Sequence, residues 1–182
     1  SALLYVGFTK SNAYVTRVTA LTINFPAASP NARYEIFVQG NGLDKFRIDH
    51  VTCTGSGLNR CIATYSDDQG ASEFSGLVDH VTCNIDSTSS PQCFNNEVAF
   101  GSVSSQAWKW PAVLGSNHAT YWEDLTCTYQ NTVADSCFDN YEGQSWVLRF
   151  STFTHIGIGN HGVDSAYRGA HLIETYRNTF ST

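Results

Sequence analysis

Arg47-Ile48-Asp49-His50-Val51-Thr52-Cys53 returns thirty residues later as Leu77-Val78-Asp79-His80-Val81-Thr82-Cys83. Weaker copies run along the chain: Glu123-Asp124-Leu125-Thr126-Cys127, Arg149-Phe150-Ser151-Thr152-Phe153 and Tyr176-Arg177-Asn178-Thr179-Phe180. An earlier copy is read at Thr16-Arg17-Val18-Thr19-Ala20. Aligned this way, Thr19, Thr52, Thr82, Thr126, Thr152 and Thr179 stand 33, 30, 44, 26 and 27 residues apart. Self-similarity at such a period marks a stacked repeat, in which each unit buries its apolar face only against its neighbours.

Within each copy the pattern alternates. Val15, Ile48, Val78, Trp122, Leu148 and Thr175 share one position, mostly apolar. The next position holds Thr16, Asp49, Asp79, Glu123, Arg149 and Tyr176, mostly polar. Short strands with one buried face have this period of two. Gly-, Ser-, Asn- and Asp-rich turns separate the copies, at 54–59, 66–70, 86–91 and 157–162. Helical patterning is poor. One coil of a parallel β-solenoid accommodates such a repeat, with successive coils stacking about 4.8 Å apart. The rivals are an antiparallel sandwich or a propeller; propeller blades need longer repeats, and an Asn-Gly hairpin signal occurs only at Asn41-Gly42. The expectation is therefore an all-β chain, a single β-helix domain over 1–182 of about six coils, either whole or a piece of a longer solenoid. The long coil between Thr82 and Thr126 carries a loop insertion at approximately 95–118.

Six cysteines point to an oxidising compartment. Cys53, Cys83 and Cys127 share a repeat position, and each is followed by a second cysteine: Cys61, Cys93 and Cys137. Copies that lack the first cysteine lack the second, which favours Cys53–Cys61, Cys83–Cys93 and Cys127–Cys137. Bridges between stacked equivalents such as Cys53–Cys83 remain open on strand spacing. A zinc site is the third option, without a CxxC pair to support it.

Composition narrows the function classes. Net charge is −6, with ten Lys and Arg and no basic run, so a nucleic-acid partner is not expected. No stretch reaches the roughly 18 apolar residues of a membrane-spanning helix. No signal peptide is visible ahead of Ser1, as in a processed or trimmed chain. Secretion, or display at a cell surface, is the expected location.

The stretch Ala134-Asp135-Ser136-Cys137-Phe138-Asp139-Asn140-Tyr141-Glu142-Gly143, with Trp146 to Phe153, resembles secreted right-handed parallel β-helix proteins of microbes, the pectate-lyase-like superfamily. So do Asn160-His161-Gly162-Val163-Asp164-Ser165, Arg168-Gly169 and the closing Tyr176-Arg177-Asn178-Thr179-Phe180. The likeness covers the last fifty residues well and the rest by repeat pattern. It implies a right-handed β-helix and relatives that include polysaccharide lyases, glycosidases, phage tailspikes and adhesins.

Several constellations are candidates for chemistry. Asp49, Asp79 and Glu123 line up in one outward column with Arg149 beyond them, able to bind calcium or act on sugars, or simply to form a solvated column relieved by Arg149, His50 and His80. No other cofactor is evident. Asp67-Asp68 with Asn160-His161-Gly162 superficially resembles a polygalacturonase centre, but three coils put the segments on the order of 14 Å apart, too far for an inverting pair. A lyase base at Arg149 or Arg168 needs a lowered arginine pKa, a demanding arrangement. His161, Asp164 and Arg168, with His155 and Ser165, make the densest polar cluster and the candidate catalytic residues, His161 as general base; the same residues equally suit a Gly-rich turn. Trp108, Lys109 and Trp110 form the candidate substrate platform, two indoles on one side of an extended segment for sugar rings, or else fold back over the solenoid.

The expected function is to bind, or process, extracellular polysaccharide; an enzyme here would be a polysaccharide lyase or glycoside hydrolase. The alternative is a structural adhesin, fibre or filament subunit that self-associates end to end through open strand edges.

Overall fold

The computed structural model describes residues 2–9, 16–25, 34–41, 46–55, 60–66, 75–85, 92–98, 119–130, 136–140, 145–159, 170 and 172–182. Its elements are strands throughout: β1 (Ala2–Thr9), β2 (Thr16–Asn24), β3 (Tyr34–Asn41), β4 (Phe46–Gly55), β5 (Ile62–Ser66), β6 (Gly76–Ile85), β7 (Phe94–Val98), β8 (Thr120–Tyr129), β9 (Phe138–Asn140), β10 (Ser145–Arg149), β11 (Thr152–Thr154), β12 (Leu172–Tyr176) and β13 (Thr179–Ser181). From β1 to β10 consecutive strands alternate between two sheets, β10 to β13 all belong to the second, and the pairings among the described residues are parallel. One sheet stacks β1-β3-β5-β7-β9. The other stacks β2-β4-β6-β8-β10-β12, with β11 between β8 and β13. This is the parallel β-solenoid expected from the repeat.

Register follows the repeat with one correction. Ile48↔Val78↔Trp122↔Leu148 and Cys53↔Cys83↔Cys127↔Phe153 pair as aligned. The first copy slips by three residues: Thr22, not Thr19, pairs with Thr52, Ile23 with Cys53, and Thr19 faces Asp49. The apolar spacing explains the slip. Val18, Leu21 and Ile23 repeat the inward positions of Ile48, Val51 and Cys53, whereas Thr16 to Ala20 matches only in its polar residues.

Inward positions build a continuous core. Trp122, Phe94, Phe138 and Trp146 interleave, with Trp122 and Phe138 edge to face at 4.8 Å and Phe138 and Trp146 also at 4.8 Å. The three disulfides link Cys53–Cys61, Cys83–Cys93 and Cys127–Cys137, the within-repeat pairing. They stack along the axis, with the sulfurs of Cys93 and Cys127 3.2 Å apart. The close sulfurs of Cys83, Cys93 and Cys127 are thus disulfide sulfurs without a thiolate to offer zinc.

The first residues of the expected 95–118 insertion belong to the core. Asn95 to Val98 complete β7, and Asn96 is buried in a polar column with Thr64 and Asn140, accepting a hydrogen bond from the Thr64 hydroxyl at 2.5 Å. Residues 99–118 lie outside the described residues.

Candidate functional site

Each long strand of the second sheet is bent by one residue of positive φ: Ala20, His50, His80 and Asp124, with φ from 49° to 57°. Phe150 and Arg177 do the same between β10 and β11 and between β12 and β13. Two residues instead of one then separate consecutive inward side chains, Ile48 and Val51 for example, and the chain turns a corner. The bend residues line up across the strands as a ridge, and each of them from His50 to Arg177 is exposed. Strips of different chemistry flank it.

Before the ridge lie the acidic positions. Asp49, Asp79, Glu123 and Arg149 do share a column, but it is not a solvated row of free carboxylates. Asp49 and Asp79 are buried, and each takes a two-pronged grip from an arginine one coil earlier: Arg17 Nε and Nη2 donate to Asp49 at 2.7 and 2.5 Å, Arg47 to Asp79 at 2.9 and 2.7 Å. Arg149 grips Glu123 from the following coil and donates to the Tyr176 hydroxyl at 2.5 Å. The Arg17 hydrogen bonds hold Asp49 well below the usual carboxylate range. At Asp79 burial pushes the other way, and the Arg47 and His80 hydrogen bonds outweigh it, so the net shift is downward. Carboxylates gripped in this way are structural. In each pair the arginine guanidinium neutralises the carboxylate it grips and ties two neighbouring coils together at the corner.

On the ridge, His50 Nδ1 meets Asp49 Oδ2 at 2.7 Å and His80 Nδ1 meets Asp79 Oδ2 at 2.8 Å. The two imidazoles stack with centroids 4.9 Å apart and planes 5° from parallel. Further along, Phe150 is 41% exposed and contacts Tyr176 edge to face at 5.9 Å. The Arg149 guanidinium lies 5.5–5.8 Å from the rings of Tyr121, Phe150 and Tyr176, and Arg177 lies 5.8 Å from Phe150. Cation–π contact of this kind fixes the rings without covering their outer edges.

After the ridge runs a strip of small hydrogen-bonding residues. Thr22, Thr52, Thr82, Thr126, Thr152 and Thr179 form one column in register, all half-buried or exposed. Asn24, Thr54, Asn84, Thr128, Thr154 and Ser181 form a second beside it. Both columns are free of charge, and strand stacking repeats their hydroxyls and amides about every 4.8 Å.

Of the residues singled out in the sequence, Trp108, Lys109, Trp110, His161, Asp164 and Arg168 lie outside the described residues, as do Asp67, Asp68 and Ser165. His155 is described: it is exposed, has a positive φ, and its Nδ1 lies 3.1 Å from the Tyr129 carbonyl. Sequence reading missed the Arg17 and Arg47 grips, the Phe150–Tyr176–Tyr121 cluster, and an aromatic row on the first sheet. In that row Tyr5, Phe37 and Tyr65 follow at 5.8 and 5.9 Å. A usable signal for the grips existed, since Arg17 precedes Asp49 by the same 32 residues as Arg47 precedes Asp79.

Compared with family models, curated proteins and solved structures, the chain matches none of them.

Proposed function

We propose that the protein binds an extended extracellular polysaccharide along the threonine strip, with Phe150 as the stacking ring at the ridge. The observation that carries this reading is the uncharged two-column array of hydroxyls and amides beside an exposed, guanidinium-braced aromatic ring. Sugars are recognised by that combination: hydroxyl partners for their edges and a flat apolar surface for their C–H faces. A repeating polymer laid along the solenoid axis would meet the same groups on every coil. Three stacked disulfides suit the oxidising exterior in which such polymers occur. The likeness to secreted β-helix proteins points the same way and extends the reading to lyase or glycosidase chemistry.

Retention on a panel of insoluble and soluble polysaccharides tests this. The wild-type chain is retained on at least one uncharged polymer, and Phe150→Ala or Thr126→Lys weakens retention roughly tenfold, the loss of one or two good contacts. Retention on none would leave the structural alternative, an extracellular adhesin or fibre subunit without activity.

A further inference from the structure

The threonine strip is more regular than a glycan ligand demands. Each strand contributes one residue to either column: Thr22 and Asn24, Thr52 and Thr54, Thr82 and Asn84, Thr126 and Thr128, Thr152 and Thr154, Thr179 and Ser181. The residue between them is buried as Ile23, Cys53, Cys83, Cys127 and Phe153 on successive coils. The three cysteines are bridged to Cys61, Cys93 and Cys137, so disulfides brace the strip from behind. Positive φ occurs before the columns, at the ridge, and after them at Gly55 and His155, but not between them. No charged residue stands in either column. Among the described residues, hydrogen bonding ties only the Thr154 hydroxyl to that of Ser181, at 3.1 Å. The remaining hydroxyls and amides of the columns are left for a ligand.

That array repeats a geometry of water itself. Oxygens hydrogen-bonded tetrahedrally at about 2.8 Å place second neighbours about 4.6 Å apart. Stacked strands repeat about every 4.8 Å. The mismatch accumulates to only about 1 Å from Thr22 to Thr179, under half a repeat. Threonine supplies both groups that an ordered water layer needs. Its hydroxyl anchors a water by a hydrogen bond, and its methyl restricts the orientation of the waters around it. Liquid water moves out of such a register, whereas a crystal face keeps it on every coil at once.

We propose that the strip adsorbs to ice, binding crystalline water through both threonine columns. Adsorption requires the regular, uncharged columns and no stacking ring. The proposal therefore does not rest on glycan binding, although the two ligands meet the same hydroxyls.

The test is the growth of a single ice crystal in a solution of the intact, disulfide-bonded chain, cooled slowly below the melting point under a microscope. The crystal should become faceted and hold its size over a temperature gap that buffer alone does not show. A slowly grown ice ball should take up the chain while excluding an unrelated soluble protein. Thr82→Lys sets a long charged side chain in the middle of the array and should lose most of the gap. Thr126→Lys, at an exposed position, repeats that test if Thr82→Lys fails to fold by circular dichroism. Leu3→Lys, exposed on the first sheet, should keep the gap. Absence of a gap in the wild-type chain, a full gap in the folded threonine variant, or an equal loss in Leu3→Lys would overturn the proposal. Polysaccharide retention is measured above freezing, which separates the two readings. Retention without arrest of ice growth overturns the ice proposal alone, and arrest without retention overturns only the glycan reading.

Discussion

Ile23 and Glu35 hold, in the first coil, the two positions that a disulfide bridges in each of the next three. Ile23 is in register with Cys53, Cys83 and Cys127. Glu35 precedes Ile36 as Cys61 precedes Ile62 and Cys93 precedes Phe94, and its amide donates to the Arg60 carbonyl in the same ladder. Both side chains are buried. The disulfide column thus ends on an isoleucine and a carboxyl group.

A fourth bridge should form at that point. In the double variant Ile23→Cys with Glu35→Cys, the intact mass should fall by one further pair of hydrogens relative to the fully reduced chain. The loop closed is of the same order as the native ones, so the added stability should be about 2–3 kcal/mol. Two free thiols under oxidising conditions would contradict the register.

Glu35 should make stability fall toward neutral pH. Both its oxygens are buried without a hydrogen-bond partner, and burial pushes its carboxyl up to about 7 from an ordinary 4.5. A raised folded value means that the neutral acid is the form the fold accepts. Its contribution is whole below the unfolded value of 4.5 and is lost as the pH rises through about 7. Above that the penalty is about 2–3 kcal/mol, a few degrees or more in melting temperature for a domain of this size. Glu35→Gln should flatten the profile, melting higher than wild type at about pH 8 and close to it at about pH 5. Identical profiles for the two proteins would show that the carboxyl is hydrated.

The Asp79 grip should govern acid stability. Its folded carboxyl titrates below the ordinary value despite burial, so its contribution is present above the unfolded value and is lost as the pH falls through the folded one. Arg47→Met leaves that buried carboxylate with His80 but no guanidinium. Removing one partner of a buried ion pair is destabilising because the other charge is left uncompensated; the partial exposure of Arg47 moderates the loss here. Acid unfolding followed by circular dichroism should move to higher pH in the variant. An unchanged midpoint would mean that His80 suffices.

Gly76 should tolerate no side chain while Phe46 is present. The two residues pair across β4 and β6, and a Cβ on Gly76 would fall 2.3 Å from a Phe46 ring carbon. Gly76→Ala should cost about 1–3 kcal/mol by overpacking, measured by urea unfolding. Phe46→Leu in the same chain should recover part of that loss. Additive costs would contradict the contact.

The solenoid and its disulfides were legible because the same few inward positions recur as apolar residues or cysteine, and a parallel stack forces identical neighbours into register. The first coil was misread where those markers are missing: it has neither cysteine nor histidine, and Thr19 stands in for Thr22 unless Val18, Leu21 and Ile23 are weighed first. Asn95 and Asn96 looked like loop because polarity is the usual sign of exposure, whereas a β-solenoid can bury an amide column inside. Burial of Asp49 and Asp79 was hidden for a related reason. Their arginines lie a coil earlier, beyond any local pattern. The site is legible only in its ladder of threonines, which the repeat carries in every coil. The ridge that makes Phe150 and the histidine pair prominent depends on backbone φ, which the residue types Ala, His, Asp, Phe and Arg do not announce.

The most direct test of the proposed binding strip is a methyl NMR titration of the chain, with its threonine methyl signals assigned, against a polysaccharide that retains it. The account predicts that the methyls of Thr52, Thr82, Thr126, Thr152 and Thr179 shift together and saturate at one affinity, while Leu3 and Leu4 on the first sheet stay in place. Saturable binding with those five threonine methyls unmoved would contradict it.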